Sequence, residues 1–337
     1  MTDDLDTALN DLYPAPSDDS EALRRVRTRV LADTQDRPAE RRSWRPRPWL
    51  AAAAAVLVVA VIVVVVRGNP PQRAMVEVAQ TLNTAADAQT RTVDEPVPAG
   101  WYRYIATHWM ATSYGPSSAV LFGRRDELWV PADPTGEWFM QRTDTGERTR
   151  LLGTDQQVQN AGPDIRSNPE RLNGRCGAFY PDSGDPCAAA GNWQSPTATF
   201  IAELPRDPHR LYDRLRADTK GHGRAPDQEV LVYAADALRS GLLPADLRAA
   251  LYRALTYLPT LEITQRATTL DGHTGTALGI TAAGEQQDIV IDPATGAFIG
   301  ERQRLTEDRD GIPAGTTTES STVRYNIVKK PWERPAR

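Results

Sequence analysis

The sequence predicts an α+β protein: one transmembrane helix followed by an extracytoplasmic domain with a curved antiparallel sheet and helices on one side. Three observations predict it. Trp49 to Val66 is an unbroken run of eighteen apolar residues. Beyond that run the periodicity passes from strands to helices and back to strands, the order of an α+β domain rather than the strict alternation of an α/β one. The returning strands are separated by Asp271-Gly272, Ala283-Gly284 and Asp292-Pro-Ala-Thr-Gly296, turn sequences that join antiparallel neighbours.

Residues 1–48 read as a cytoplasmic arm. Leu5, Leu9 and Leu12 recur at helical spacing until Tyr13-Pro14-Ala15-Pro16 breaks the run. Ser20-Glu21 can open a second helix with Leu23, Val26 and Val30 on one face. The arm is polarised in charge, with seven acids and no base over residues 1–23, then nine arginines against three acids over 24–48. Neither helix can bury a core alone, so two readings stay open: a solvated tail, and a helix that folds on a cytoplasmic partner.

Residues 49–66 would make a helix roughly 27 Å long, close to the hydrocarbon thickness of a bilayer. A lone segment in lipid must satisfy its own backbone hydrogen bonds, which selects helix despite the many valines. Arg37, Arg41, Arg42, Arg45 and Arg47 precede it, and only Arg67 and Arg73 follow closely. That asymmetry keeps the amino end in the cytoplasm and sends the carboxyl domain across. A cleaved signal peptide fits poorly, because 48 residues come first and no Ala-x-Ala pattern follows. The span is therefore an uncleaved signal-anchor in the cell membrane, ending at Trp49 and Val66. Pro46 and Pro48 bound it on one side, Pro70 and Pro71 on the other.

Residues 67–98 read as a stalk helix and linker, on the helical spacing of Ala74, Val78, Leu82, Ala85 and Ala86. Residues 99–330 form the extracytoplasmic domain. Trp101–Trp109, Glu127–Val130 and Glu137–Met140 have the aromatic and β-branched density of strands, the last two flanking a turn at Pro131–Gly136. Residues 144–198 are rich in Gly, Pro, Asn and Asp and read as one long loop. It holds the only cysteines, Cys176 and Cys187. Outside the cytoplasm, so close a pair is most simply a structural disulfide.

Three helices come next. Asp207-Pro208 is a cap followed by a first-turn proline, with Leu211 and Leu215 on one face. Pro226 to Gly241 carries Val230, Ala234, Ala237 and Leu238, and Pro244 to Leu258 carries Leu247, Ala250, Leu251, Ala254 and Leu255. Leu261–Thr269, Gly275–Thr281, Gln287–Ile291, Ala297–Leu305 and Ser321–Val328 are the closing strands.

Little in the chain points to catalysis. His108, His209, His222 and His273 are scattered and match no metal-ligand spacing, and no nucleophile elbow, phosphate loop or dinucleotide fingerprint occurs. Asp133, Glu137, Asp288 and Asp292 lie at strand ends, where turn chemistry explains the aspartates more simply than a glycosidase-type pair. Trp101, Tyr102, Tyr104, Trp109, Trp129 and Trp138 can line an apolar groove or pack a core. Beyond the span, acids outnumber bases by only four, an ordinary soluble surface with no basic excess for nucleic acid. The expectation is a non-enzymatic protein without metal or cofactor.

The layout resembles an actinobacterial family of single-pass membrane proteins often encoded beside extracytoplasmic-function sigma factors. The residues that carry the resemblance are the leucine-bearing arm, the Arg/Pro run, the Ala/Val-rich span, Trp101-Tyr-Arg-Tyr104, Leu204-Pro-Arg-Asp-Pro208, Leu243-Pro-Ala-Asp-Leu247, Asp271-Gly-His-Thr-Gly275 and Ile291-Asp-Pro-Ala-Thr-Gly296. The hairpin Asp288–Gly300 is also similar to those of periplasmic half-barrels of the lipoprotein-carrier and sigma-regulator type. The first resemblance implies a signalling or sensor protein, anti-sigma-like, whose domain senses a lipid or envelope ligand while the arm engages a cytoplasmic sigma factor. The second implies a membrane-tethered module that binds a lipid or lipoprotein.

Overall fold

The computed structural model describes residues 70–160, 169–180, 184–270 and 272–335. The arm, the expected span Trp49–Val66, the arginines Arg41, Arg42, Arg45 and Arg47, and Asp271 lie outside these residues. Among the described residues no helix is long and apolar enough to cross a membrane. They form an α+β structure: nine strands in one antiparallel sheet, with helices packed against it.

Helix α1 runs Pro70–Arg91. Pro70 and Pro71 open this helix, because the first turn needs no amide donor, and the span they are expected to bound lies outside the described residues. Val78, Leu82, Ala85 and Ala86 are buried, so the segment expected as a stalk supplies a wall of the domain core. Strands β1 (Tyr102–Gly115), β2 (Ser118–Pro131) and β3 (Glu137–Leu152) form a meander of long hairpins. Short helix α2 (Asp155–Asn160), edge strand β4 (Glu170–Arg175), a 3₁₀ turn (Pro186–Ala188) and helix α3 (Ala198–Glu203) follow. Among its described residues, the expected long loop over 144–198 thus holds the end of β3, helix α2, strand β4 and the 3₁₀ turn. The second half of β3, Thr143-Asp-Thr-Gly-Glu-Arg-Thr-Arg150, is too polar to read as a strand, yet it pairs with β2 through Arg150.

Helix α4 (Pro208–Asp218) begins as expected: the Asp207 carboxylate accepts from the Arg210 amide at 2.9 Å. Helices α5 (Pro226–Arg239) and α6 (Ala245–Leu255) are close to their expected bounds. Strands β5 (Glu262–Leu270), β6 (His273–Ala282), β7 (Glu285–Asp292), β8 (Ala297–Leu305) and β9 (Thr317–Val328) form the second meander. The sheet order is β4-β3-β2-β1-β9-β8-β7-β6-β5, so the two meanders join where β1 pairs with β9. Register shifts in four of the strand pairs mark bulges, which bend and twist a sheet.

Strand alternation separates the two faces. Ile105, Val130, Trp138, Leu278, Ile289 and Val323 face inward and share one core with α1, α4, α5 and α6. Helix α5 lies over β6, β7 and β8, and α1 packs against α6. On the outer face, Tyr104 and Trp129 form a separate cluster with Val328 and Phe139. The C-terminal segment folds back over it: Trp332 packs on Trp129 with ring centroids 5.2 Å apart and planes tilted by 57°, and Trp129 Nε1 donates to the Glu333 carbonyl at 2.7 Å.

Two buried phenols fasten this arrangement. Tyr252 on α6 donates to the Gly296 carbonyl at 3.0 Å, and Tyr104 donates to Glu127 Oε1 at 2.6 Å. Burial pushes both phenols up, and Glu127 pushes Tyr104 further. An unfolded tyrosine titrates near about 10, so the native state holds these protons after the unfolded chain has lost them. Their contribution is intact below that value and lost as pH rises through it. Urea midpoints are expected to hold steady to about pH 9.5 and to fall above about pH 10, with Tyr252→Phe removing part of the fall.

Candidate functional site

The helices cover only part of the inner face. Above β1–β3 the cover is drawn from residues 176–179 and 186–197, and a partly open cavity of about 480 Å³ lies beneath them. Its apolar walls are Ile105, Leu128, Trp138, Met140, Phe179 and Leu242. Each strand residue among them sits at an inward position, set by the cross-strand pairs Leu128–Ile105 and Met140–Leu128. A volume of this size falls within the range of small-molecule sites.

The expected disulfide is present. Cys176 and Cys187 are bridged with their Cα atoms 5.2 Å apart, tying the end of β4 to the 3₁₀ turn. Cys176 and Pro186 both line the cavity, so the bridge fixes its cover. Closing so short a loop is worth about 2–3 kcal/mol by chain entropy. The paired change Cys176→Ser with Cys187→Ser is expected to lower the free energy of unfolding by about that amount, read from urea denaturation.

One end of the cavity is charged. Arg239, at the last turn of α5, lies 4.4 Å above the Trp109 ring, and Arg124 of β2 approaches the same ring at 5.7 Å. The Arg239 guanidinium is shared between Asp236 and Glu301. Glu301 also accepts from Ser321 Oγ at 3.1 Å and Gln287 Nε2 at 3.2 Å. Beyond this waist is a second cavity of about 310 Å³, which shares Trp109, Gln194, Asp236 and Arg239 with the first. Several atoms around the site are buried without a partner: Asp236 Oδ2, Asp126 Oδ1, and the Nε atoms of Arg124 and Arg142. Burial raises the Asp126 carboxyl above its ordinary value, against the pull of Arg124. The arrangement offers an apolar chamber leading to hydrogen-bonding groups.

The expected aromatic set is divided by strand alternation. Trp109 and Trp138 line the cavity, whereas Tyr104 and Trp129 lie on the opposite face beneath Trp332. The candidate carboxylates do not converge. Asp133 binds Thr135, Glu137 binds Asn173, Asp292 caps its own turn, and Asp288 is fully buried against Arg302. His108 pairs with Glu147 at 2.7 Å and His209 with Asp213 at 3.1 Å. Among the described residues no group of His, Cys, Asp or Glu is arranged to hold a metal. A third cavity, about 660 Å³, lies on the outer face between Tyr104, His108, Arg125, Arg324 and Arg334.

Asp236 and Arg239 were not singled out by sequence reasoning. The available signal is an acid placed between Ala235 and Ala237 on the buried side of α5. Arg124 and Asp126 give the same signal in β2, as an ion pair facing inward from the middle of a strand.

No protein-family model matches the sequence, and no curated protein matches it. Among solved structures the chain is similar to a DUF1329 family protein from Desulfovibrio piger, at 12% identity over 77% of this chain and 94% of that one, with a TM-score of 0.17. It is also similar to a domain described as an outer membrane lipoprotein-sorting protein from Vibrio parahaemolyticus, at 11% identity over 75% of this chain and 93% of that one, with a TM-score of 0.16. Both overlaps are too loose to bear on the site, which rests on its own geometry.

Proposed function

We propose that the domain is a non-enzymatic binding module, tethered outside the cytoplasmic membrane, that holds a single-chain amphipathic molecule on the inner face of its sheet. The alkyl chain occupies the chamber between Ile105, Leu128, Trp138 and Met140, and the polar end reaches the waist at Asp236 and Arg239. The observation that carries this reading is the apolar cavity of about 480 Å³ opening at one end onto charged, incompletely paired groups. Burying a chain there gains about 0.8 kcal/mol per methylene, so a long chain offsets the cost of association.

The test is contact quenching of Trp109 and Trp138 by a terminally brominated dodecanol, added to the full-length protein. Saturable quenching is expected, and it should be weakened when Met140→Phe narrows the chamber without adding an indole. Quenching that does not saturate, or that persists undiminished in Met140→Phe, overturns the proposal.

The sensor reading adds a step. Occupancy of the chamber would be relayed through the span to a cytoplasmic sigma factor held by the arm. Its support is the sequence of residues 1–48 and the resemblance they carry. Deleting residues 1–35 should alter sigma-dependent transcription while leaving the quenching intact, and unaltered transcription would remove this second step alone.

A further inference from the structure

We infer that the polar end of the ligand is a protonated amine: the site is built for an alkyl chain that terminates in an ammonium group. This rests on the amphipath reading above and names the class of molecule that fills it.

The argument is a count of charge and hydrogen-bonding capacity at the waist. On the β2–β3 wall acids and bases pair one to one, Arg124 with Asp126 and Arg142 with Glu170. At the waist they do not. Arg239 is the one guanidinium shared by two carboxylates, Asp236 and Glu301. Arg302 also borders the second cavity, but its guanidinium is committed to Asp288 at 2.8 Å and to Thr268 and Gln265. Glu319 borders the same cavity but is exposed to solvent. Two buried carboxylates, Asp236 and Glu301, therefore share one guanidinium.

The position of the deficit is specific. Asp236 is 5% exposed, and its Oδ2 has no hydrogen-bond partner although Oδ1 is held by Arg239. Leaving a charged acceptor buried and unmatched costs more than a neutral one, and the cheapest remedy is a donor that carries positive charge. An ammonium brings three donors on a compact head. Asp126 Oδ1, on the facing wall of the same cavity, is a second unmatched acceptor. A carboxylate head would instead meet Asp236 and Glu301 with like charge, and a hydroxyl would satisfy one acceptor without neutralising any. The two unmatched donors, Arg124 Nε and Arg142 Nε, belong to guanidiniums whose charge is already balanced.

The test compares terminally brominated dodecyl chains ending in an amine, a hydroxyl or a carboxylate, at neutral pH, by quenching of the full-length protein. The amine is expected to bind at least tenfold more tightly than the alcohol, with the carboxylate weakest. Asp236→Asn keeps the shape of the side chain and is expected to bring the amine-to-alcohol ratio down to near one. Propylamine, which has the head without the chain, should displace the long amine only at concentrations at least a hundredfold higher. That separates a chain-bearing amine from a small free amine. Alcohol or carboxylate binding as tightly as the amine overturns the inference. So does a preference that survives in folded Asp236→Asn, or propylamine matching the long chain. Should Asp236→Asn not fold, the ranking of the three heads in the unaltered protein decides alone. Failure of all three heads to quench would instead overturn the amphipath reading beneath it.

Discussion

Replacing Arg302 with methionine is expected to lower the free energy of unfolding by about 3 kcal/mol, one of the largest single-residue effects in the domain. Asp288 is fully buried, and Arg302 Nε donates to its Oδ2 at 2.8 Å. Its other oxygen accepts from Thr264 Oγ1 and Gln286 Nε2, both at 2.7 Å. Room for the carboxylate comes from Gly279 on β6, where a Cβ would overlap Asp288 Oδ1. Arg302 also reaches Thr268 and Gln265 on the edge strand β5. One network thus ties β5, β7 and β8 across the glycine. Arg302→Met strands a buried carboxylate with only Arg304, 3.8 Å away, as a cation. Adding Asp288→Asn removes the stranded charge, so the double variant should recover about 2 kcal/mol of the loss. Chemical denaturation of the four members of this cycle measures the coupling. Equal stability of the single and double variants would show that charge burial is not the cause.

The fate of Asp288 shows what a sequence conceals. Its place near a strand end made it one of four candidate carboxylates, and nothing local distinguishes a structural acid from a functional one. Its buried partner lies fourteen residues along the chain, and the glycine that admits both is on a third strand. The signals that read well were local. The Asp207-Pro208 cap and the Ala283-Gly284 turn are each decided by a few adjacent residues. The close cysteines bridge as their spacing suggests. What read poorly was the lining of the candidate site. Arg124 and Asp126 interrupt β2 and obscure its length, because inward positions there face a cavity with polar walls instead of a core. Residues that break the pattern of an element are where a binding site is to be sought. The face taken by each tryptophan follows from register, which the strand sequences alone did not set.

Gly296→Ala is expected to cost about 3 kcal/mol, against about 1 kcal/mol for Gly315→Ala, although both glycines have the same backbone conformation. Their φ angles are +70° and +84°. At either site a Cβ meets the usual left-handed penalty of about 1–2 kcal/mol. The surroundings make the difference. A Cβ at Gly315 has nothing within 4 Å, whereas at Gly296 it would overlap the backbone oxygen of Ala85 on α1. A helix backbone buried against α6 cannot yield as a surface side chain does. The turn is also held from both sides, by Gln89 Nε2 donating to the Thr295 carbonyl at 3.0 Å and by Tyr252 donating to the Gly296 carbonyl at 3.0 Å. Pushing the turn outward would break both bonds and part α1 from the sheet. The two variants share chemistry and backbone strain, so the difference between their urea midpoints isolates the packing of α1 on the β7–β8 turn. Equal midpoints would mean that α1 is not seated against this turn in solution.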